Sequence, residues 1–169
     1  MADLRPAAPA PDPGPAAPAP EPRPATPEPR PAAPAPLRIA ILADDLIWST
    51  RLVSHVRSAG LEAVAVRTLP ALTSALAAAD AAIIDLTSRT YDGLAAIAAA
   101  RDLGRPVLAV GQHDDHVLRR DALAVGADRV LAYRKLFDDG PPSIIRWLGA
   151  QPLPVRAGPS APSEEVPRR

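Results

Sequence analysis

Ile39-Ala40-Ile41-Leu42-Ala43 runs into Asp44-Asp45, and Ala81-Ala82-Ile83-Ile84 runs into Asp85-Leu86. These two stretches decide the fold. Each is aliphatic on every position, too short for a stable helix and bounded by polar residues, which is the pattern of a strand buried on both faces. Such strands belong to parallel sheets covered by helices on either side. The acids then stand at the carboxyl ends of their strands, the edge where open α/β sheets bind ligands. Carboxylates gathered at that edge suit a cation, and one of them suits a nucleophile.

Working outward, the same texture recurs at Leu61–Val66, Pro106–Val110 and Arg129–Tyr133, making five candidate strands with Arg38–Ala43 and Ala81–Leu86. Helical spacing separates them. Trp48, Leu52, Val53, Val56 and Arg57 share one stripe that stops at Gly60, and Leu69–Ala79, Tyr91–Leu103 and Val117–Val125 follow. A last helix is predicted from Pro141-Pro142, since proline suits a first helical turn, and it carries Ile144, Ile145, Trp147 and Leu148. Alternating strands and helices imply right-handed crossovers and a parallel sheet. The fold class is therefore α/β: a five-stranded doubly wound parallel sheet, flavodoxin-like, with helices on both faces. The order 2-1-3-4-5 is adopted because it places Asp44, Asp45 and Asp85 together at the switch point between strands 1 and 3. Leu61–Val66, interrupted by Glu62, suits the sheet edge.

Composition sets the boundaries. Of 23 prolines, 14 lie between Pro6 and Pro36 and four between Leu37 and Gln151. Residues 1–36 have no large apolar side chain after Leu4 to offset ordering entropy, so a disordered Pro/Ala-rich tail is expected there. In extended polyproline form it would span up to roughly 110 Å. A second disordered tail is expected at 152–169, leaving one domain at 37–151. That segment balances 13 basic against 13 acidic residues, which argues against a nucleic-acid footprint. The chain has no cysteine, so thiolate metal sites and disulfides are excluded. No apolar run reaches bilayer length and residues 1–6 lack a signal-peptide core, so a cytoplasmic location and no membrane partner are expected.

The order and spacing of these pieces resemble the receiver domain of two-component response regulators, the CheY-like superfamily. Ile41-Leu42-Ala43-Asp44-Asp45 resembles the first strand with its acidic pair, and Asp80–Leu86 the third strand with its phospho-accepting aspartate. Tyr91-Asp92-Gly93 stands where the family has its Asp-Gly; Pro106–Val110 resembles the fourth strand, and Gly126-Ala127-Asp128 opens the fifth. The resemblance implies that Asp44, Asp45 and Asp85, with a backbone carbonyl near Thr87, hold Mg²⁺. It also implies that Asp85 accepts a phosphoryl group from a histidine kinase. The residues alone admit a plainer reading, with Asp44 or Asp45 simply capping the helix that follows. The family's usual partner face is formed by Val117–Val125, strand 5 and the final helix. There Leu118, Leu123, Ile144 and Leu148 would support a homodimer or instead face the sheet.

Departures from the family cluster downstream. Gly111 stands where receivers carry Thr or Ser, Gln112 where they carry a small residue, and Val130 where they carry a switch aromatic. The family's lysine falls on Tyr133. Lys135, the only lysine in the chain, lies two residues later; it would reach phosphate on Asp85 across a small bulge, or open the next loop as surface charge. The expectation is a pseudo-receiver acting through protein contacts with weak or absent phospho-switching. The alternative is a functional single-domain response regulator that accepts a phosphoryl group on Asp85.

Other readings fall away. Leu42–Leu46 also resembles the opening of certain sugar-acid kinases, but no Gly-rich phosphate loop accompanies it. An aspartyl-phosphate hydrolase wants an acid two residues after its nucleophile, and position 87 is Thr, so no enzyme is expected. Gln112-His113-Asp114-Asp115-His116 reads as a polar strand-to-helix loop, with Asp115 as a helix cap, rather than a metal site. Trp48 and Trp147 read as core or interface anchors. No DNA-binding output segment is seen after Gln151, and the repeated Pro-x-x-Pro matches follow from composition alone.

Overall fold

The structure is a computed structural model that describes residues 35–153; the tails expected at 1–36 and 152–169 lie outside the described residues except at their inner ends. Five strands and five helices alternate: β1 (Arg38–Leu42), α1 (Leu46–Ser58), β2 (Glu62–Val66), α2 (Leu69–Leu76), β3 (Ala81–Asp85), α3 (Gly93–Asp102), β4 (Val107–Gly111), α4 (His116–Val125), β5 (Arg129–Ala132) and α5 (Tyr133–Leu148). All neighbouring strands pair in parallel, in the order β2-β1-β3-β4-β5. The fold class read from the sequence, and its strand order, are those of the molecule.

Strand alternation divides the core into two layers. Ile39, Ile41, Ile83, Leu108, Val110 and Leu131 face α1 and α5, where Leu52, Val56, Ile144 and Trp147 meet them. Leu42, Ile84, Ala109 and Val130 face the other way, onto α2, α3 and α4. β1, β3 and β4 are buried almost throughout, whereas β2 is half-exposed, as an edge strand should be. Among the described residues, no helix is long and apolar enough to cross a membrane.

Side-chain caps explain where several helices begin. The Asp92 carboxylate accepts the amides of Leu94 (2.9 Å) and Ala95 (3.1 Å) at α3, and Asp115 accepts that of Leu118 (2.8 Å) at α4. Asp115 therefore does the capping expected of it. Gly126, at φ 122°, ends α4 in a backbone conformation that a side chain would resist, and it also lies against the Arg101 side chain.

One element differs from expectation. Residues 133–138 are helical rather than a loop before Pro141, because Tyr133, Leu136 and Gly140 fall on one inward stripe. α5 is thus two helical segments joined at Asp139, whose backbone leaves helical values (φ −148°, ψ 44°), with Pro141-Pro142 in the first turn of the second segment. The extra turn points Lys135 outward, where its ammonium bonds Asp139 four residues on at 3.1 Å. That lysine hydrogen bond, ahead of other causes, holds the Asp139 carboxyl below its ordinary value.

The His55 ring of α1 lies against Gly140 of α5: a Cβ at residue 140 would stand 2.6 Å from the ring. Gly140→Ala should cost about 1–3 kcal/mol through overpacking, read as a lower urea midpoint. Burial, and then the nearby Arg51, pull the His55 imidazole below its ordinary value. The folded chain then binds the proton less readily than the unfolded one. The stability His55 contributes is complete above its unfolded pKa of about 6.5 and is lost as pH falls through the folded value. His55→Gln should flatten that decline in urea titrations across the acidic range.

Candidate functional site

The two acid-bearing strands end side by side, since β1 and β3 are paired through Leu42 and Ile84. Tyr91 ties those ends together: its hydroxyl proton is shared between the carbonyl oxygens of Asp85 (2.9 Å) and Leu42 (3.1 Å). Burial, followed by the charges of Asp85 and Asp44, pushes the Tyr91 phenol up, so it remains a donor through the physiological range.

Asp85 is wholly buried at the end of β3. Its Oδ1 accepts three donors: the Thr87 amide at 2.9 Å, the Thr87 hydroxyl at 2.9 Å and the Tyr133 hydroxyl. Thr87 and Tyr133 also touch each other at 2.6 Å, so two hydroxyl protons serve a triangle of three oxygens. The other carboxylate oxygen, Oδ2, is sealed from solvent and has no hydrogen-bond partner among the described residues. Burial and the Asp85 hydrogen bond push the Tyr133 phenol up, which keeps its proton available to Asp85. Tyr133 can reach inward because α5 begins there, at the carboxyl end of β5, instead of after a further loop.

Above this triangle Trp48 stacks on Tyr133, with ring centroids 3.8 Å apart and planes 22° from parallel. Arg51, one turn along α1, lays its guanidinium toward the Trp48 ring (5.9 Å) and the Phe137 ring (4.8 Å). The acid pocket therefore has an aromatic roof continuous with an exposed surface on α1 and α5.

The three acids expected to act together are used differently. Asp45 caps α1, its Oδ1 accepting the Trp48 amide at 2.9 Å. Asp44 accepts the Thr90 hydroxyl at 3.0 Å, while its own carbonyl accepts Arg67 at 2.6 Å. Burial works against ionisation of Asp44, but hydrogen bonds from Ser88 and Thr90 outweigh it and hold the carboxyl below its ordinary value. Both line a cleft of about 570 Å³ with Trp48, Thr87 and Tyr133, whereas Asp85 lies behind its wall.

The donor chemistry suits a hard cation, but the arrangement does not fit one. Among the described residues, no group of three or more His, Asp or Glu side chains stands close enough to hold a metal ion. This applies equally to the loop Gln112–His116. Lys135, the other residue singled out for phosphate, is engaged with Asp139. In the sequence Tyr133 marked only a missing lysine, and it is the residue whose role sequence reasoning missed. Trp48 and Thr87 complete the same arrangement, and nothing in their local sequence announces it.

No family model matches the chain, and no curated protein matches it. Solved structures do. The receiver domain of the Francisella response regulator 1452 aligns at 15% identity and a TM-score of 0.59, covering 68% of this chain and 98% of that one. A two-component response regulator from Clostridium difficile aligns at 14% identity and 0.60, covering 68% and 97%. A Burkholderia pseudomallei response regulator, solved with a phosphorylated aspartic acid, calcium ion and citrate, aligns at 19% and 0.57, covering 66% of each chain. The chain has the fold of a response-regulator receiver domain.

Removing the Tyr133 hydroxyl leaves Asp85 buried with fewer donors. Tyr133→Phe should destabilise the fold by about 1–3 kcal/mol, measured by urea unfolding, because a buried charged acceptor loses one of its hydrogen bonds.

Proposed function

We propose that this chain is a receiver-like signalling module of two-component type that works through protein contacts, with phospho-switching weak or absent. The observation that carries this reading is the closure of Asp85: fully buried, with Oδ1 already accepting three donors. A carboxylate nucleophile must bring an oxygen to within roughly 3–3.5 Å of phosphorus, in line with the leaving group. Here that approach first requires Tyr133 and Trp48 to move. The surrounding positions support the same reading. Gly111 offers no hydroxyl to a phosphoryl oxygen, and Val130, packed into the sheet layer beneath α4, has no aromatic ring to move between buried and exposed positions. The module uses no enzyme activity of its own.

Its partner is a protein, with a histidine kinase the class that the fold suggests. Self-association through α4, β5 and α5 is the related proposal, narrowed by burial. Ile144 and Leu148 are spent in the core, and Leu118 is half-buried against it. Leu123, with Val117 and Val125, is what α4 offers to a second copy.

Phosphodonor labelling separates this reading from a working response regulator. Full-length protein incubated with acetyl phosphate and Mg²⁺ should show no added phosphoryl mass that depends on Asp85. A phosphoryl adduct absent from Asp85→Asn, together with a changed oligomeric state by light scattering, would establish the alternative.

A further inference from the structure

We infer that the surface shared by α1 and α5 docks a second copy of this chain, in a two-fold contact centred on Phe137 and Arg51. Such a contact is independent of whether Asp85 takes a phosphoryl group. It also lies on the face of the sheet opposite α4.

Helical spacing builds the surface. Ile47, Arg51 and His55 fall four residues apart on α1 and so form one stripe. That stripe runs along α5: His55 lies against Gly140, and the Arg51 guanidinium lies 4.8 Å from the centre of the Phe137 ring. Ile47, one turn nearer the helix start, is 66% exposed; Leu46 beside it is 71% exposed and Phe137 is 59% exposed. The chain has two tryptophans, two tyrosines and one phenylalanine, and Trp48, Tyr133 and Phe137 meet at this corner. Trp48 and Tyr133 roof the acid pocket, whereas Phe137 belongs to neither core layer. Exposed Phe, Ile and Leu gathered around an aromatic-stacked arginine make the composition of an interface centre, not of a solvated helix face.

The charges select the occupant. Arg51 and Asp138 are both exposed, and neither side chain forms an ion pair among the described residues. Arg134, one helical turn before Asp138, does not pair with it either. A strongly acidic or basic partner would be met by a face of one sign. Here both signs stand beside Phe137, with Arg51 at its ring and Asp138 one residue on. A guanidinium stacked on a ring keeps its edge N–H donors free for a carboxylate. A two-fold axis through Phe137 lets each copy's Arg51 meet the other's Asp138, while Phe137 and Ile47 close the apolar centre. The formal net charge of zero puts no long-range repulsion between the copies.

The test is sedimentation velocity of the full chain from micromolar to millimolar concentration. The natural chain should pass from monomer to dimer as concentration rises. Phe137→Glu and Ile47→Glu, both at exposed positions, should each raise the dimer dissociation constant about tenfold or more. Arg51→Glu and Asp138→Arg should each weaken the dimer, and the double variant Arg51→Glu/Asp138→Arg should restore it. The dimer should persist in Leu123→Glu, on α4. Circular dichroism establishes that each variant is folded. A natural chain that stays monomeric throughout would overturn the inference. So would a dimer unaffected by Phe137→Glu and Ile47→Glu, one abolished by Leu123→Glu, or a charge swap that restores nothing. All of these readings are taken without phosphodonor, so the labelling experiment on Asp85 stands on its own outcome.

Discussion

A carboxylate buried at the end of a central parallel strand has to be satisfied from within the protein, and in this molecule a tyrosine hydroxyl from the far end of the domain does it. The Tyr133–Asp85 hydrogen bond joins β3 to α5, brings Thr87 into the same triangle of oxygens and sets Trp48 as a roof above it. Unpaired buried charge is among the most costly things a fold can contain. Because Tyr133 is both donor and lid, the group that stabilises Asp85 also removes it from the open cleft. Asp44 and Asp45 remain outside that lid, one held by hydroxyls and one spent on a helix N-terminus.

The roof gives this site a connection that the acids alone would not have. Tyr133, Trp48, Arg51 and Phe137 form a continuous line of ring and guanidinium contacts from the buried carboxylate to an exposed edge of α1 and α5. On the same face, the close approach of His55 to Gly140 brings the two helices into near contact. The opposite layer, where Val130 lies, is an ordinary aliphatic packing of small helices on a sheet.

Much of this architecture was legible in the residues. Aliphatic runs at Ile39–Ala43, Ala81–Ile84 and Pro106–Val110 read as buried strands because nothing in them could face water. Asp115 read as a helix cap because its carboxylate satisfies an amide only a few residues away. Local chemistry of that kind is written locally. The helical turn at 133–138 was not read, because Pro141-Pro142 looked like the natural start and the inward stripe of Tyr133, Leu136 and Gly140 spans the bend at Asp139. With it went the orientation of Lys135, which depends on whether its backbone is helical or extended.

What the sequence determined by itself is the set of buried parallel strands and the acids at their carboxyl ends, since periodicity and strand-end acids are properties of short segments; the strand order was adopted because it brings Asp44, Asp45 and Asp85 together. What only the tertiary structure decided is how those acids are used. Thr87 is two residues from Asp85, but Tyr133 is 48 and Trp48 is 37 positions away. Their meeting depends on α1 and α5 lying on the same face of the sheet. A hydrogen bond between residues so far apart carries no local signature, so Tyr133 could be seen in the sequence only as a lysine that was missing.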